Sequence, residues 1–338
     1  MTMNTIEDRI GKYLVPHLKD FIFDELSEGY LTRNGLADFM TGVPIPIRKD
    51  ELNSISTLAI ARNMAFVIGC NPNFEYRENY IRYILTAFDK RFSQGLVADG
   101  VDGAQKSDFD YACIQFRAAF LIDPENVDAL YCYGRACKDA YELGEEEDFI
   151  ARFKAESLEA FEKVTLKKPD FAEAYYFLGY GYINLGLYLK AKLTWEEFMK
   201  LSQDEEKKKE INERLELLVE PVKIEEGYNM ILSGKFADGI ERLSQYTEGE
   251  YSSWWPLWYY LGTGYEALEM NEEAISNYLK VLSFSPSNIE AMEALARLYE
   301  VTGDAEKVEK YTNKISLVKE NIEKDRLEAM KDKGISFS

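Results

Sequence analysis

Apolar positions fall at helical spacing in IEDRIGKYLVPHLKDFIFDEL, around Pro16, and again in SISTLAIARNMAFVIG. The second run predicts a helix that ends at the turn residues Cys70-Asn71-Pro72-Asn73. Between the two lies GVPIPIRKDEL, which its prolines hold extended, because the residue before a proline is pushed out of the helical region. NYIRYILTAFDKRF, from Asn79, and DYACIQFRAAFLIDP, ending at Pro124, predict a pair of helices that pack together. The stretch between them, SQGLVADGVDGAQKSD, is glycine-rich and polar and reads as a loop. Farther along, two segments carry one pattern twice. Leu178, Gly179, Tyr182, Ala191 and Trp195 have the same spacing as Leu261, Gly262, Tyr265, Ala274 and Tyr278.

That spacing resembles the tetratricopeptide repeat, a helix–turn–helix family of 34-residue units. The small residue lets two helices approach closely, and the aromatics fill the space between them. Proline closing the second helix matches Pro124, Pro169 and Pro286. The small position recurs at Gly134, Gly179, Gly227, Gly262 and Ala296. The later intervals are one repeat each, and the earlier two carry insertions, around 142–153 and 206–219. Both insertions are charged but rich in helix formers, so they predict lengthened helices. Pro221 then marks a helix start or a kink.

The resemblance implies an all-α, right-handed superhelical solenoid. Residues 1–74 form an N-terminal helical cap in this reading. Five to six hairpins occupy 75–318, and 319–338 supply the polar capping helix that the last open face of a solenoid needs. It also implies that first helices line a concave surface where a protein or peptide lies. The matching positions are Tyr131, Arg135 and Lys138, then Tyr176, Tyr180 and Asn184, then Tyr228, Tyr259 and Thr263. Tyrosine recurs along that face, offering apolar area and a hydroxyl at little entropy cost. The two-carboxylate clamp that some relatives use on chaperone tails needs Lys and Asn at positions held here by Tyr131/Arg135 and Tyr176/Tyr180. A co-chaperone role is therefore not expected.

Charge narrows the partners. The chain carries 40 basic and 60 acidic residues for a net −20. Residues 1–107 hold 12 and 14 of them, which leaves −18 on residues 108–338. A field of that sign repels phosphate backbones and anionic lipid, so neither nucleic acid nor a membrane is an expected partner. No apolar run is long enough for a membrane span, and MTMNTIEDRIGK lacks the basic start of a signal peptide. A cytoplasmic location is the expectation. Cys70, Cys113, Cys132 and Cys137 contain no C-x-x-C pair and read as free thiols, with Cys137 at a buried repeat position.

Candidate chemistry is thin. Gly179-x-Gly181 and Gly262-x-Gly264 sit inside helices rather than after a strand, so packing explains them better than phosphate binding. His17 is the single histidine, which removes triads and His-based metal sites. The runs at 145–148 and 205–210 lack the alternating ligands and glycine of a calcium loop. The chain is expected to need no cofactor and to be no enzyme. One alternative is a peptide-sensing transcription regulator, since GLADFMTGV…STLAIARNMAFVIGC looks like a degenerate helix-turn-helix. Val43-Pro44-Ile45-Pro46 would then occupy the place of the recognition helix.

Overall fold

The computed structural model describes residues 6–50 and 56–332, with side chains through 324. The first five residues, the segment 51–55 and the last six lie outside it, and with them the start of the expected cap, the junction of GVPIPIRKDEL with the helix that follows, and the end of the capping tail. Among the described residues about 76% are helical.

A short helix α1 (Gly11–Leu14) runs into a 3-10 turn at Val15–Asp20 that carries Pro16 near its start. Helical spacing predicts that this segment continues as helix, but Phe21–Glu25 is a strand, β1. Its partner is β2, Pro44–Arg48, antiparallel, with Phe21 opposite Arg48 and Phe23 opposite Pro46. The all-α cap is thus corrected to a mixed one with a two-stranded sheet. The reason is physical. Pro44 and Pro46 cannot donate into a helix, and an extended strand places Ile45 and Ile47 in the core at 3% and 5% exposure. Aromatic and β-branched side chains at 21–23 suit the pairing. The place of a recognition helix is therefore strand, and the regulator reading loses its DNA-contacting element.

Two short helices, α2 (Glu28–Arg33) and α3 (Ala37–Met40), connect the strands. Helices α4 (Thr57–Cys70) and α5 (Arg77–Phe88) follow, with Ser56 capping α4 by accepting from the Ala59 N–H at 3.1 Å. The expected loop at 93–108 is instead a helix, α6 (Phe92–Gln105). It packs on α7 (Phe109–Ile122), so the hairpin partner of α7 is α6 rather than the run from Asn79. Glycines that weaken a solvent-exposed helix are here its packing face. A Cβ on Gly100 would lie 2.6 Å from Phe116 Cε1, and one on Gly103 would lie 2.7 Å from Tyr111 Cδ1.

Hairpins continue as α8 (Val127–Leu143) with α9 (Glu147–Lys167), and α10 (Ala172–Asn184) with α11 (Tyr188–Leu201). The first insertion lengthens α8 and α9 to 17 and 21 residues, as its composition predicts. The second is a helix of its own, α12 (Glu205–Leu217), started by Asp204, which accepts from the Lys207 N–H at 3.1 Å. Then come α13 (Val219–Leu232) with Pro221 in its first turn, α14 (Phe236–Ser244), α15 (Trp255–Ala267), α16 (Asn271–Phe284), α17 (Ile289–Val301) and α18 (Ala305–Asp332). Helices α7, α9 and α16 stop two residues before Pro124, Pro169 and Pro286, where proline forbids continuation.

The chain divides into two compact units, Met1–Gly186 with Leu193–Lys208, and Leu187–Lys192 with Lys209–Ser338. In the first, Arg117 of α7 is the central tie. Its Nε donates to the Gly69 carbonyl at 2.7 Å, its Nη2 to that of Cys70 at 2.8 Å, and its Nη1 to Asp8 Oδ1 at 2.8 Å. One guanidinium thus satisfies the orphan carbonyls at the end of α4 and neutralises a carboxylate of the N-terminal segment. Among the described residues no helix is long and apolar enough to cross a membrane.

Two stability tests follow from this packing. A Cβ on Gly179 would lie 2.1 Å from Trp195 Nε1, whereas nothing lies within 4 Å of one on Gly95. Gly179→Ala is expected to lower stability by about 1–3 kcal/mol through overpacking. Gly95→Ala, in an exposed helix interior, is expected to raise it by roughly 0.5–1 kcal/mol. Equal effects in chemical denaturation would contradict the register. Arg117→Met strands Asp8 and two buried carbonyls, and should cost about 3–5 kcal/mol in the same measurement.

Candidate peptide-binding surface

In the first unit, α8 and α10 bring four of the expected residues around one ring, that of Phe177, with a fifth beside them. Arg135 lies over it with the guanidinium carbon 4.4 Å from the centroid, and Lys138 Nζ is 5.9 Å away. Tyr176 meets the same ring edge-on at 5.0 Å, and Tyr131 stands 6.4 Å from it. Tyr180 joins through Tyr176, at 5.3 Å, and caps Trp195 at 4.9 Å. The spacing explains the convergence: 131, 135 and 138 share one face of α8, and 176, 177 and 180 share one side of α10.

These rings are not free of the core. Tyr131 packs on Phe171 at 4.8 Å and on Phe161 at 6.0 Å, and Tyr176 packs on Phe198 at 5.4 Å. The Tyr176 carbonyl accepts from Trp195 Nε1 at 3.1 Å. All three tyrosines are half-buried, so each fills core volume as well as its place on the expected face. Asn184, exposed at the last turn of α10, is not drawn into the cluster.

Electrostatics single out Arg135. Its Nε is buried and finds no hydrogen-bond partner among the described residues. Lys138 is held by Glu142 one turn on. Burial raises the Asp139 carboxyl above its ordinary pKa, against the pull of Arg135 and Lys138. Burial likewise raises the Tyr131 phenol, with Arg135 opposing. Beside this cluster opens a mostly apolar cavity of about 310 Å³, walled by Lys138, Tyr141, Leu158, Phe177 and Tyr180. Phe177, Tyr141 and Leu158 escape a reading by repeat position. Phe177 sits directly beside Tyr176, and helix lengthening places Tyr141 and the start of α9 past the ordinary 34-residue unit.

The remaining expected residues lie in the second unit. Tyr228 stacks on Tyr260 at 4.6 Å with rings 19° apart. Tyr259 packs edge-on against Tyr260 at 5.8 Å and Tyr278 at 5.7 Å. Thr263 Oγ1 donates to the Tyr259 carbonyl at 3.0 Å and lies 3.3 Å from the Tyr278 hydroxyl. Tyr259 and Thr263 are thus held within the α15–α16 hairpin, and Tyr228 of α13 packs across onto α15.

Hairpins with glycine at the small position of the first helix close on it. A Cβ on Gly134 would meet Phe161 Cε1 at 3.0 Å, on Gly227 Leu243 Cδ2 at 2.7 Å, and on Gly262 Tyr278 Cε1 at 2.9 Å. Beyond its cap, the chain is a helical-repeat array of such hairpins. No family model matches it, and no curated protein does. Among solved structures it is similar to the MamA protein, at 19% identity over 69% of this chain and 95% of that one, with a TM-score of 0.29. It is similar to the P58(IPK) TPR domain at 16% identity over 81% and 75%, TM-score 0.44. A third is YrrB, described as a TPR protein with an unusual peptide-binding site, at 15% identity over 65% and 98%, TM-score 0.30.

Three of the four thiols are buried. Burial pushes Cys70 up to about 12, and it drives Cys137 well above the ordinary thiol range beside Cys113, sulfur to sulfur 3.7 Å. Cys132 alone is partly open to solvent. Among the described residues no three His, Cys, Asp or Glu side chains gather as a metal site would require. A thiol titration at pH 8 should find one reactive group, Cys132, in the folded protein and all four after denaturation. Rapid reaction of a second thiol in the native state would show that α4, α7 or α8 opens locally.

Proposed function

We propose that this chain is a protein-interaction scaffold that holds a polypeptide segment on its α8–α10 surface, and that it carries out no catalysis. The observation that carries the reading is the unsatisfied Arg135 Nε beside Phe177. A buried donor without an acceptor is unfavourable by about 1–3 kcal/mol, and a ligand carboxylate or backbone carbonyl would remove that penalty. The adjoining cavity is lined mainly by apolar groups, with Lys138 at its edge. The expected ligand therefore places a large apolar side chain against Phe177 and Tyr180 and an acidic group toward Arg135 and Lys138. Tyr228, Tyr259 and Thr263 are proposed as further contacts on the second unit, and Asn184 as a rim contact. The acidic balance of the chain speaks against a nucleic-acid partner.

Partners recovered from lysate by the wild-type chain should be lost with Arg135→Glu. Truncating a buried anchor of a real hot spot, as in Tyr180→Ala, typically removes about 2 kcal/mol or more of binding. Both variants should keep their helical circular dichroism. The half-buried Tyr180 ring adds a smaller stability loss that denaturation reads separately. Recovery that is unchanged by Arg135→Glu in a folded protein places the interaction elsewhere.

A further inference from the structure

The second unit holds a cavity of about 230 Å³ that neither the repeat pattern nor the proposed scaffold surface uses. Three aromatic rings wall it: Tyr188 from the start of α11, and Tyr251 and Trp254 from the segment entering α15. Pro221 and Ile224, one turn apart on α13, form the floor, and Glu250 completes the lining. The wall is rigidly built. Gly249 takes a left-handed φ of 83°, open to glycine at little cost, and starts the 3-10 turn Glu250–Ser253. That turn is tied down where the Trp258 indole donates to the Ser252 carbonyl at 2.7 Å. Tyr188 is fixed from its other side, since Glu225 caps the start of α11 by accepting from the Leu189 N–H at 2.7 Å.

Three features distinguish this cavity from ordinary core. Tyr251 and Trp254 pack on the Ile224–Leu257 cluster, yet space remains between them and Tyr188. The hydroxyls of Tyr188 and Tyr251 make no hydrogen bond to any described residue, unlike that of neighbouring Tyr246, which donates to Glu220 at 2.6 Å. Glu250 has no basic partner among the described residues, whereas Glu220 is taken by Lys223 at 2.8 Å. Aromatic faces carry negative quadrupole potential, and a lone carboxylate beside them adds a full charge.

The geometry points to a cation-binding pocket in which Tyr188, Tyr251 and Trp254 enclose the guanidinium of an arginine side chain from a partner polypeptide, with Glu250 as its counter-ion. Arginine fits better than the other biological cations. Its guanidinium is weakly hydrated, stacks flat on aromatic rings, and has donors for the carboxylate and the two unused phenol oxygens. A lysine ammonium is more strongly hydrated and loses more on entering such a cavity. A quaternary ammonium has no donor for Glu250 or the phenols. This pocket prefers a positive group where the α8–α10 surface prefers a negative one, so the two proposals stand or fall separately.

The test uses the full chain labelled with 5-fluorotryptophan, the Trp254 fluorine line being assigned by its loss in Trp254→Phe. The probes are the peptide acetyl-Gly-Arg-Gly-amide, its lysine counterpart and tetramethylammonium chloride. The arginine peptide is expected to shift the Trp254 line saturably and more tightly than either competitor. Glu250→Gln, an exposed change that leaves the fold intact, should weaken that binding at least ~5-fold, and Tyr188→Leu should do the same. No saturable shift with the arginine peptide overturns the pocket. So does a shift that Glu250→Gln leaves untouched, and tighter binding of tetramethylammonium overturns the guanidinium assignment.

Discussion

The architecture depends on five places where a helix has no Cβ. At Gly100, Gly134, Gly179, Gly227 and Gly262, the space that a methyl would fill is occupied by Phe116, Phe161, Trp195, Leu243 and Tyr278 from the second helix of the hairpin. Close approach and a large insert are two sides of one constraint. The glycine weakens its own helix by roughly 1 kcal/mol relative to alanine. The insert more than offsets that loss, since a fully buried large side chain contributes on the order of 1.5–3 kcal/mol. Trp195, Phe116 and Tyr278 are each at most 2% exposed, so the inserts receive nearly the whole benefit. The inserts differ in shape, and each hairpin is keyed to its own partner rather than to a shared template.

Burying so many tyrosines brings hydroxyls into the core, and acidic residues resolve the problem. Tyr133 donates to Glu156 at 2.7 Å, Tyr182 to Glu162 at 2.7 Å, Tyr246 to Glu220 at 2.6 Å and Tyr278 to Glu266 at 2.7 Å. Each pair puts the ring inside and the carboxylate at the margin, where water still reaches it. Part of the acidic excess is therefore structural. A carboxylate accepts from a phenol without competing for a proton, and burial with this contact raises the Tyr182, Tyr246 and Tyr278 phenols further above their ordinary range.

The repeats were legible because their signal is a fixed interval between a small residue and its aromatic insert. The same interval reaches one unit earlier than composition implies. Gly100 stands 34 residues before Gly134, and that spacing identifies α6 where glycine and polar residues read as loop. Local composition lost to tertiary packing there, because the glycines face Phe116 and Tyr111. The strand β1 was hidden for a different reason. Phe21, Ile22 and Phe23 satisfy helical spacing as well as strand spacing, and the decision lies with Pro44 and Pro46, more than 20 residues away in sequence. Of the candidate site, the residue types and faces were readable, but their degree of burial was not. It depends on Phe171, Phe177 and Phe198, which a single-helix periodicity does not bring together.

The hydroxyl pattern separates tyrosines that build hairpins from tyrosines whose hydroxyls the fold does not use. A phenol in the core needs an acceptor, and Tyr133, Tyr182, Tyr246 and Tyr278 each have a carboxylate. Tyr83 is the exception, its hydroxyl buried and unpaired near Tyr30 in the cap. Tyr188 and Tyr251, which line the cavity of the second unit, have no acceptor among the described residues. The same logic applies to cations. Arg117 directs three donors at fixed acceptors and is a structural tie, whereas Arg135 shares the buried environment but leaves its Nε unpaired. A polar atom that the fold has desolvated without satisfying calls for an explanation of its own, and Tyr83 and Arg135 are the two side chains among the described residues that pose that question.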